Sequence, residues 1–191
     1  METRSCSIGG EFVTIRVAGR MEDTLQAFAV RAACFIGGQD VPYSEEFDGQ
    51  DFGATHLLAY LADEPVGALR VRWFQSFAMP ERLAVMQRFR GHKVGQFLLE
   101  RARALAESRG CNILYTRVSP GHATYFEKQR WRRLDDGQTP GARPTVALVR
   151  PVDPAKESAE IADTDAIALS TQYRLDMPAL PSPSEDGYFR Y

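Results

Sequence analysis

Arg88, Arg90, Gly91, His92, Lys93 and Gly95 fall within eight positions near the middle of the chain, a combination suited to holding an anion. Upstream, Glu81 to Met86 is short and largely apolar, as a buried strand is. Downstream, Val94, Phe97, Leu98, Ala102 and Leu105 recur at the spacing of one helical face, while Arg101, Arg103 and Glu107 point elsewhere. Gly91 and Gly95 let the backbone approach a ligand, the first amides of the helix lack intrahelical partners, and the helix dipole favours negative charge there. A phosphate or pyrophosphate is the predicted guest. The spacing fits neither G-x-G-x-x-G nor G-x-x-x-x-G-K-[ST], because the two glycines are four apart and Gln96 follows.

Ala84-Val85 at a strand end, followed by Arg90-Gly91-His92-Lys93-Val94-Gly95, resembles the coenzyme A pyrophosphate loop of the GCN5-related N-acetyltransferases, the GNAT family. Lys93 stands where that family most often has glycine. Two further stretches carry the resemblance, which covers roughly residues 11–150. Between Val30 and Arg72, Arg31, Phe35, Gln39, Glu46, Asp48, Asp51 and His56 match a GNAT subgroup with R-x-x-V-F-x-x-E-Q, E-x-D-x-x-D and a following histidine, with Gly38 in place of the subgroup's glutamate. Ala123 to Trp131 resembles A-x-x-F-Y-E-K-x-G-F, with the aromatic order swapped to Tyr125-Phe126 and Arg130 at the glycine position.

The resemblance implies an acyl-CoA-dependent N-acyltransferase that moves acetyl from acetyl-CoA to a primary amine by direct attack, with no covalent enzyme intermediate and no need of a cysteine nucleophile. It implies a coenzyme site made by Leu83, Ala84, Val85, Arg90, Gly91, His92, Lys93, Val94, Gly95 and Gln96, with Phe126 beside the pantetheine. The exposed strand edge at Leu83 to Val85 would pair with the arm and polarise the thioester carbonyl. The base candidates are Glu81, alternatively a surface strand-start carboxylate, and His56, alternatively a core histidine. Phe126 has no proton to give, and Tyr125 serves as acid only if its helix is rotated, since adjacent helical residues point about 100° apart. Three other readings stay open. They are an acyltransferase like the acyl-homoserine lactone synthases, which share the fold, a catalytically weak acyl-CoA-binding regulatory module, and a structural protein working through its acidic tail.

These residues need elements to position them. Phe12, Ile15 and Val17 read as a first strand after a flexible lead-in at 1–10. Glu22 to Phe35 reads as a helix stopped by Gly37-Gly38. Ala54 to Leu61 and Val66 to Phe74 make a hairpin, and Glu81 to Met86 adds a third antiparallel strand. After the long helix and Gly110, Asn112 to Val118 is expected parallel to its predecessor. A short helix at Gly121 to Lys128 and strands at Trp131 to Leu134 and Thr145 to Arg150 complete the set. The predicted class is α/β, a GNAT-like mixed, mostly antiparallel sheet flanked by helices, with a splayed parallel strand pair forming the acyl-CoA slot.

At 191 residues the chain has room for one ordinary domain, here residues 11–150, and an appendage. A net charge of −2 argues against nucleic acid, and no apolar run approaches a membrane span. The polar METRSCSIGGE lacks the apolar core of a secretory signal, so a cytoplasmic location is expected. Cys6, Cys34 and Cys111 are widely spaced, as are His56, His92 and His122, so no metal is expected. Asp40, Glu45, Glu46, Asp48 and Asp51 form an acidic run read as a solvated loop or as a negative rim gathering a cationic amine. Residues 151–191 hold eight acids and three bases with five prolines and read as an acidic tail. Their apolar residues leave docking on the domain, or a homodimer, open.

Overall fold

Val13 and Ile15 alternate with the more exposed Phe12, Thr14 and Arg16, the pattern of a strand buried on one face. The computed structural model describes residues 3–134, 144–153 and 155. It places that strand second in a mixed sheet of eight strands among the described residues, ordered β1-β2-β3-β4-β5-β6-β8-β7. The strands are β1 Thr3–Ile8, β2 Glu11–Val17, β3 Thr55–Leu61, β4 Glu64–Trp73, β5 Phe77–Val85, β6 Ile113–Val118, β7 Arg132–Leu134 and β8 Val146–Pro151. The helices are α1 Met21–Gln39, the single turn α2 Tyr43–Glu46, α3 Val94–Ser108 and α4 Pro120–Glu127. Every pairing is antiparallel except β5 with β6.

The two faces of the sheet are filled differently. Against α3, side chains such as Val13, Ile15, Leu57, Leu69 and Val71 meet Val94, Leu98, Leu99 and Ala102 in one large apolar core, the main stabilising burial of the fold. Against α1 the apolar contact is small: Ala27, Val30 and Cys34 meet Leu58, Tyr60, Ala68 and Ala84. The rest of that face is ionic, because Arg70 and Arg72 alternate on β4 with Leu69 and Val71 and are buried with them.

The slot follows from strand geometry. Only Phe77↔Ile113 and Ala78↔Leu114 pair between β5 and β6, after which the strands part. The Thr116 hydroxyl donates to the Pro80 carbonyl at 2.7 Å where they diverge. On the other side of β5 the register with β4 slips between Ala68 and Arg70, placing an extra residue in β5, and Arg82 there has φ 54°. This β-bulge bends β5 away from its neighbour.

Several boundaries differ from the sequence reading. Residues 3–8 pair with β2 instead of forming a flexible lead-in, across a two-residue turn of Gly9 (φ 60°) and Gly10 (φ 92°), the left-handed pair that hairpins favour. Gly37-Gly38 lie inside α1, and Asp40, at φ 53°, supplies the left-handed end expected of glycine. β5 begins at Phe77, four residues before Glu81. β8 runs through Pro151 and Val152 is buried, so the core reaches past residue 150. The tail beyond residue 155 lies outside the described residues.

Candidate active site

The loop before α3 is built to leave amides open. Phe89 is buried as an anchor, and the Arg90 Nε–H donates to the Val85 carbonyl at 3.1 Å, tying the loop to the end of β5. Gly91 (φ 86°) and Lys93 (φ 60°) both take left-handed backbone, which explains the glycine the family prefers at position 93. Lys93 is the N-cap of α3 but its side chain caps nothing, and the first intrahelical bond runs from the Phe97 amide to the Lys93 carbonyl at 3.1 Å. The amides of Val94, Gly95 and Gln96 therefore keep their donors for a ligand. They border a cavity of about 1180 Å³ that opens between β5 and β6.

Leu83, Ala84, Val85, Arg90, Gly91, Lys93, Val94, Gly95, Gln96 and Phe126 all line this cavity, as do Glu81 and Tyr125. His92 and His56 do not. The swapped aromatics of α4 part ways. Phe126 is 6 % exposed and packs edge-on to Trp131 in the apolar core, reaching the cavity wall only as a surface. Tyr125 is 42 % exposed, yet its hydroxyl end is the buried end: a Cβ on Gly95 would lie 2.6 Å from that oxygen and 3.5 Å from Leu83 Cδ2. Gly95 is therefore needed for the close approach of α3 to the Tyr125 hydroxyl. Burial raises the Tyr125 phenol above its ordinary pKa, with a hydrogen bond from Gln129 opposing in part.

Across the cavity the acidic run divides: Glu46, Asp48 and Asp51 pair with arginines inside the protein, whereas Asp40 and Glu45 are exposed and Glu45 lines the cavity. Arg31, 0 % exposed, places its Nε 2.6 Å from Glu46 Oε1 and its Nη1 2.5 Å from Asp51 Oδ1. Arg70 binds Asp48 through two nitrogens, at 2.6 and 2.8 Å, and Asp51 at 3.2 Å. Burial alone would raise Asp48, but the Arg70 hydrogen bonds and charge, the Gln50 amide and Arg82 outweigh it and hold the carboxyl at about 2. Asp51 is lowered in the same way, burial being outweighed by Arg31 and Arg70. Glu46, 1 % exposed, is raised because burial exceeds the help of its arginines. His56 is 4 % exposed, hydrogen-bonded through Nε2 to the Asp51 carbonyl at 3.1 Å, and burial lowers its pKa. It is a core histidine and is not placed to take a proton from a molecule in the cavity. Glu81 does line the cavity. It stands at the bulge with Oε1 3.2 Å from Arg70 Nη2 and 3.5 Å from Arg72 Nη1, contacts of ion-pair length that leave this oxygen without an aligned hydrogen bond among the described residues.

Residues 25–128 match the family described as Acetyltransferase (GNAT) family. The chain belongs to that family. It is 27 % identical over 120 residues to the uncharacterized N-acetyltransferase YjcF of Bacillus subtilis, an alignment covering 63 % of this chain and 86 % of YjcF. Among solved structures, FeeM, an N-acyl amino acid synthase from uncultured soil microbes, superposes with a TM-score of 0.65 at 12 % identity, covering 80 % of this chain and 97 % of FeeM. An aminoglycoside 6'-N-acetyltransferase complexed with coenzyme A superposes with a TM-score of 0.61 at 12 % identity, covering 73 % and 97 %. These likenesses at low identity share the fold of this GNAT chain, a mixed, mostly antiparallel sheet with one parallel pair.

Other cavity-lining residues carried no motif. Arg82, Thr116, Arg117, Ser119 and His122 reach the cavity from β5, β6 and the start of α4, brought there by strand divergence that a linear pattern does not encode. Ser119 Oγ and His122 Nδ1 lie 2.7 Å apart on the rim. For Arg70 a signal existed, since a carboxylate-rich run and the two arginines of β4 call for each other once both are buried; Arg82, the single arginine of β5, carried none.

Proposed function

We propose that this GNAT protein transfers an acyl group, in the first instance acetyl, from acyl-coenzyme A to a primary amine. The observation that carries the reading is the parting of β5 and β6 beside the uncapped first turn of α3: an open strand edge and a set of free amides border one cavity. The residues fit the coenzyme. The amides of Val94 to Gln96 and the Lys93 ammonium suit a pyrophosphate, and no carboxylate among the described residues pairs with Arg90 or Lys93 to compete for it. When bound, the thioester supplies an activated carbonyl.

The chain's own residues do the rest. Among the described residues the β6-facing edge of β5 has no strand partner beyond Ala78, so its backbone groups past Pro80, whose carbonyl accepts from Thr116, are available to align an extended arm and to hydrogen-bond a carbonyl oxygen as charge develops on it. Glu81, fixed at the bulge by Arg70 and Arg72, is the proposed acceptor of the ammonium proton, directly or through water. Tyr125 is assigned to the phosphate end of the cavity, because its hydroxyl sits on the first turn of α3. Thiol release from acetyl-, medium- and long-chain acyl-CoA against a panel of amines, amino acids among them, tests the reading. Amine-dependent release with acetyl-CoA is expected. Release confined to longer chains would favour an acyl-amino-acid or lactone-synthase type of reaction, and coenzyme A binding without release from any donor would mean a binding module.

A further inference from the structure

The bulge that presents β5 to the cavity is occupied by an arginine in left-handed backbone, a conformation disfavoured by any residue with a Cβ. Something outside the strand must hold it there. Arg82 donates through Nη2 to the Glu45 carbonyl and to Asp48 Oδ2 at 3.1 Å, and its Nε is 3.3 Å from Glu46 Oε2. Its neighbour Glu81 is gripped by Arg70, and Arg70 grips the same Asp48. The two bulge residues are thus closed into one ring, Glu81 to Arg70 to Asp48 to Arg82. Glu46 extends the ring to Arg31 in the middle of α1.

We infer that Arg82 is a positioning residue, clamped by the segment between α1 and β3, that fixes the β5 bulge and so aims the strand edge at Leu83 to Val85 for acyl transfer. The inference rests on the acyl-transfer reading for its consequence and on the ion-pair geometry for its cause. Glu45, Glu46 and Arg82 all line the cavity, so the clamp is also the wall that an acceptor meets. The phosphate end, about ten residues further along the chain, is built without any member of the ring. Losing the clamp should therefore lower transfer more than coenzyme binding, because it misplaces the edge at Leu83 to Val85 and leaves the phosphate end intact, a split that general destabilisation does not produce.

Arg82→Gly removes the guanidinium while permitting the left-handed backbone without strain, and Arg82→Lys restores a charge without the fork of donors. Three readouts apply to the full chain: coenzyme A affinity by calorimetry, kcat at saturating acyl-CoA, and amide hydrogen exchange across β5. For Arg82→Gly we expect kcat lowered at least tenfold with affinity falling by no more than about threefold, and exchange at Leu83 to Val85 at least tenfold faster with Phe77 to Met79 unchanged. Arg82→Lys should fall between. If Arg82→Gly is not folded at the assay temperature, Arg82→Lys carries the test with the same split at threefold or more. Unchanged exchange at Leu83 to Val85, or affinity and kcat falling in parallel, overturns the inference. A wild-type protein that neither binds coenzyme A nor releases thiol overturns the acyl-transfer reading instead, and exchange at the bulge still decides whether the clamp exists.

Discussion

Residues 40–51 and residues 88–95 look alike as charge runs, one acidic and one basic, yet the fold uses them in opposite ways. Three of the acids, Glu46, Asp48 and Asp51, are spent inside the protein, on Arg31, Arg70 and Arg82, and this part of the run becomes part of the structure. The bases stay available: Arg88 makes an exposed pair with Glu64, Arg90 holds a backbone carbonyl, and Lys93 stands at an uncapped helix end. A charge run becomes a site or a scaffold according to whether the chain supplies its counterions. Here they come from α1, β4 and β5, through Arg31, Arg70 and Arg82, and among the described residues no equivalent set of carboxylates pairs with the loop.

Breaking the scaffold should have the largest effect. Arg31→Met leaves Glu46 and Asp51 buried without their main partner, and removing one member of a buried pair costs about 3–5 kcal/mol. For a domain of this size that lowers the melting temperature by on the order of 10 °C. Arg90→Ala, in the other region, should leave the melt nearly unchanged and weaken coenzyme A binding, more at low salt than at high salt. Equal melting losses for the two would remove the distinction.

Acid should act on the same region next. Asp48 is depressed from 3.8 to about 2, so its contribution to stability is fully present above about pH 4 and is lost as the pH falls through about 2. That is on the order of 2 kcal/mol. Asp51 and Glu100, both lowered, act in the same direction. Glu46, raised by burial, acts oppositely, since the folded protein binds its proton more tightly and is relatively favoured as the pH falls. His56, lowered, adds a loss that begins as the pH drops below 6.5. Denaturant titrations between pH 7 and 2 should show a net loss that is steepest below pH 4. In Asp48→Asn the loss below pH 4 should shrink, and an unchanged pH dependence would exclude Asp48 as its source.

A smaller effect sharpens the other region. Tyr125→Phe removes a hydroxyl that sits at Gly95, so coenzyme A affinity should fall by about threefold to tenfold, the ~1 kcal/mol of one hydrogen bond. At saturating acyl-CoA, kcat should change little. A tenfold loss of kcat with unchanged affinity would make Tyr125 the acid after all.

The loop was legible because its signals are local: helical spacing from Val94 onward, glycines at Gly91 and Gly95, and bases between them. The strands from Phe12 onward were legible as short apolar runs, while the pairing of residues 3–8 was not. The ion-pair ring was not legible as such, because each of its pairs joins residues eleven or more positions apart, and an acidic run alone looks the same whether solvated or buried. Arg70 and Arg72, two apart in an otherwise apolar strand, held the missing clue. Gly9-Gly10 is a hairpin signal that the weak pattern of residues 3–8 obscured. Gly37-Gly38 misled for the opposite reason: tertiary packing carried α1 through two residues that each disfavour a helix by about 1 kcal/mol.

The central claim is that the first turn of α3 holds the phosphates of coenzyme A. Calorimetric titration of coenzyme A into wild type, Gly95→Ala and Gly95→Asp tests it directly, since a Cβ there must displace the Tyr125 hydroxyl and a carboxylate adds like charge among the open amides. We expect Gly95→Ala to weaken binding modestly and Gly95→Asp by at least tenfold, about 1.4 kcal/mol, with both variants folded. Binding of equal strength in wild type and Gly95→Asp would contradict the claim.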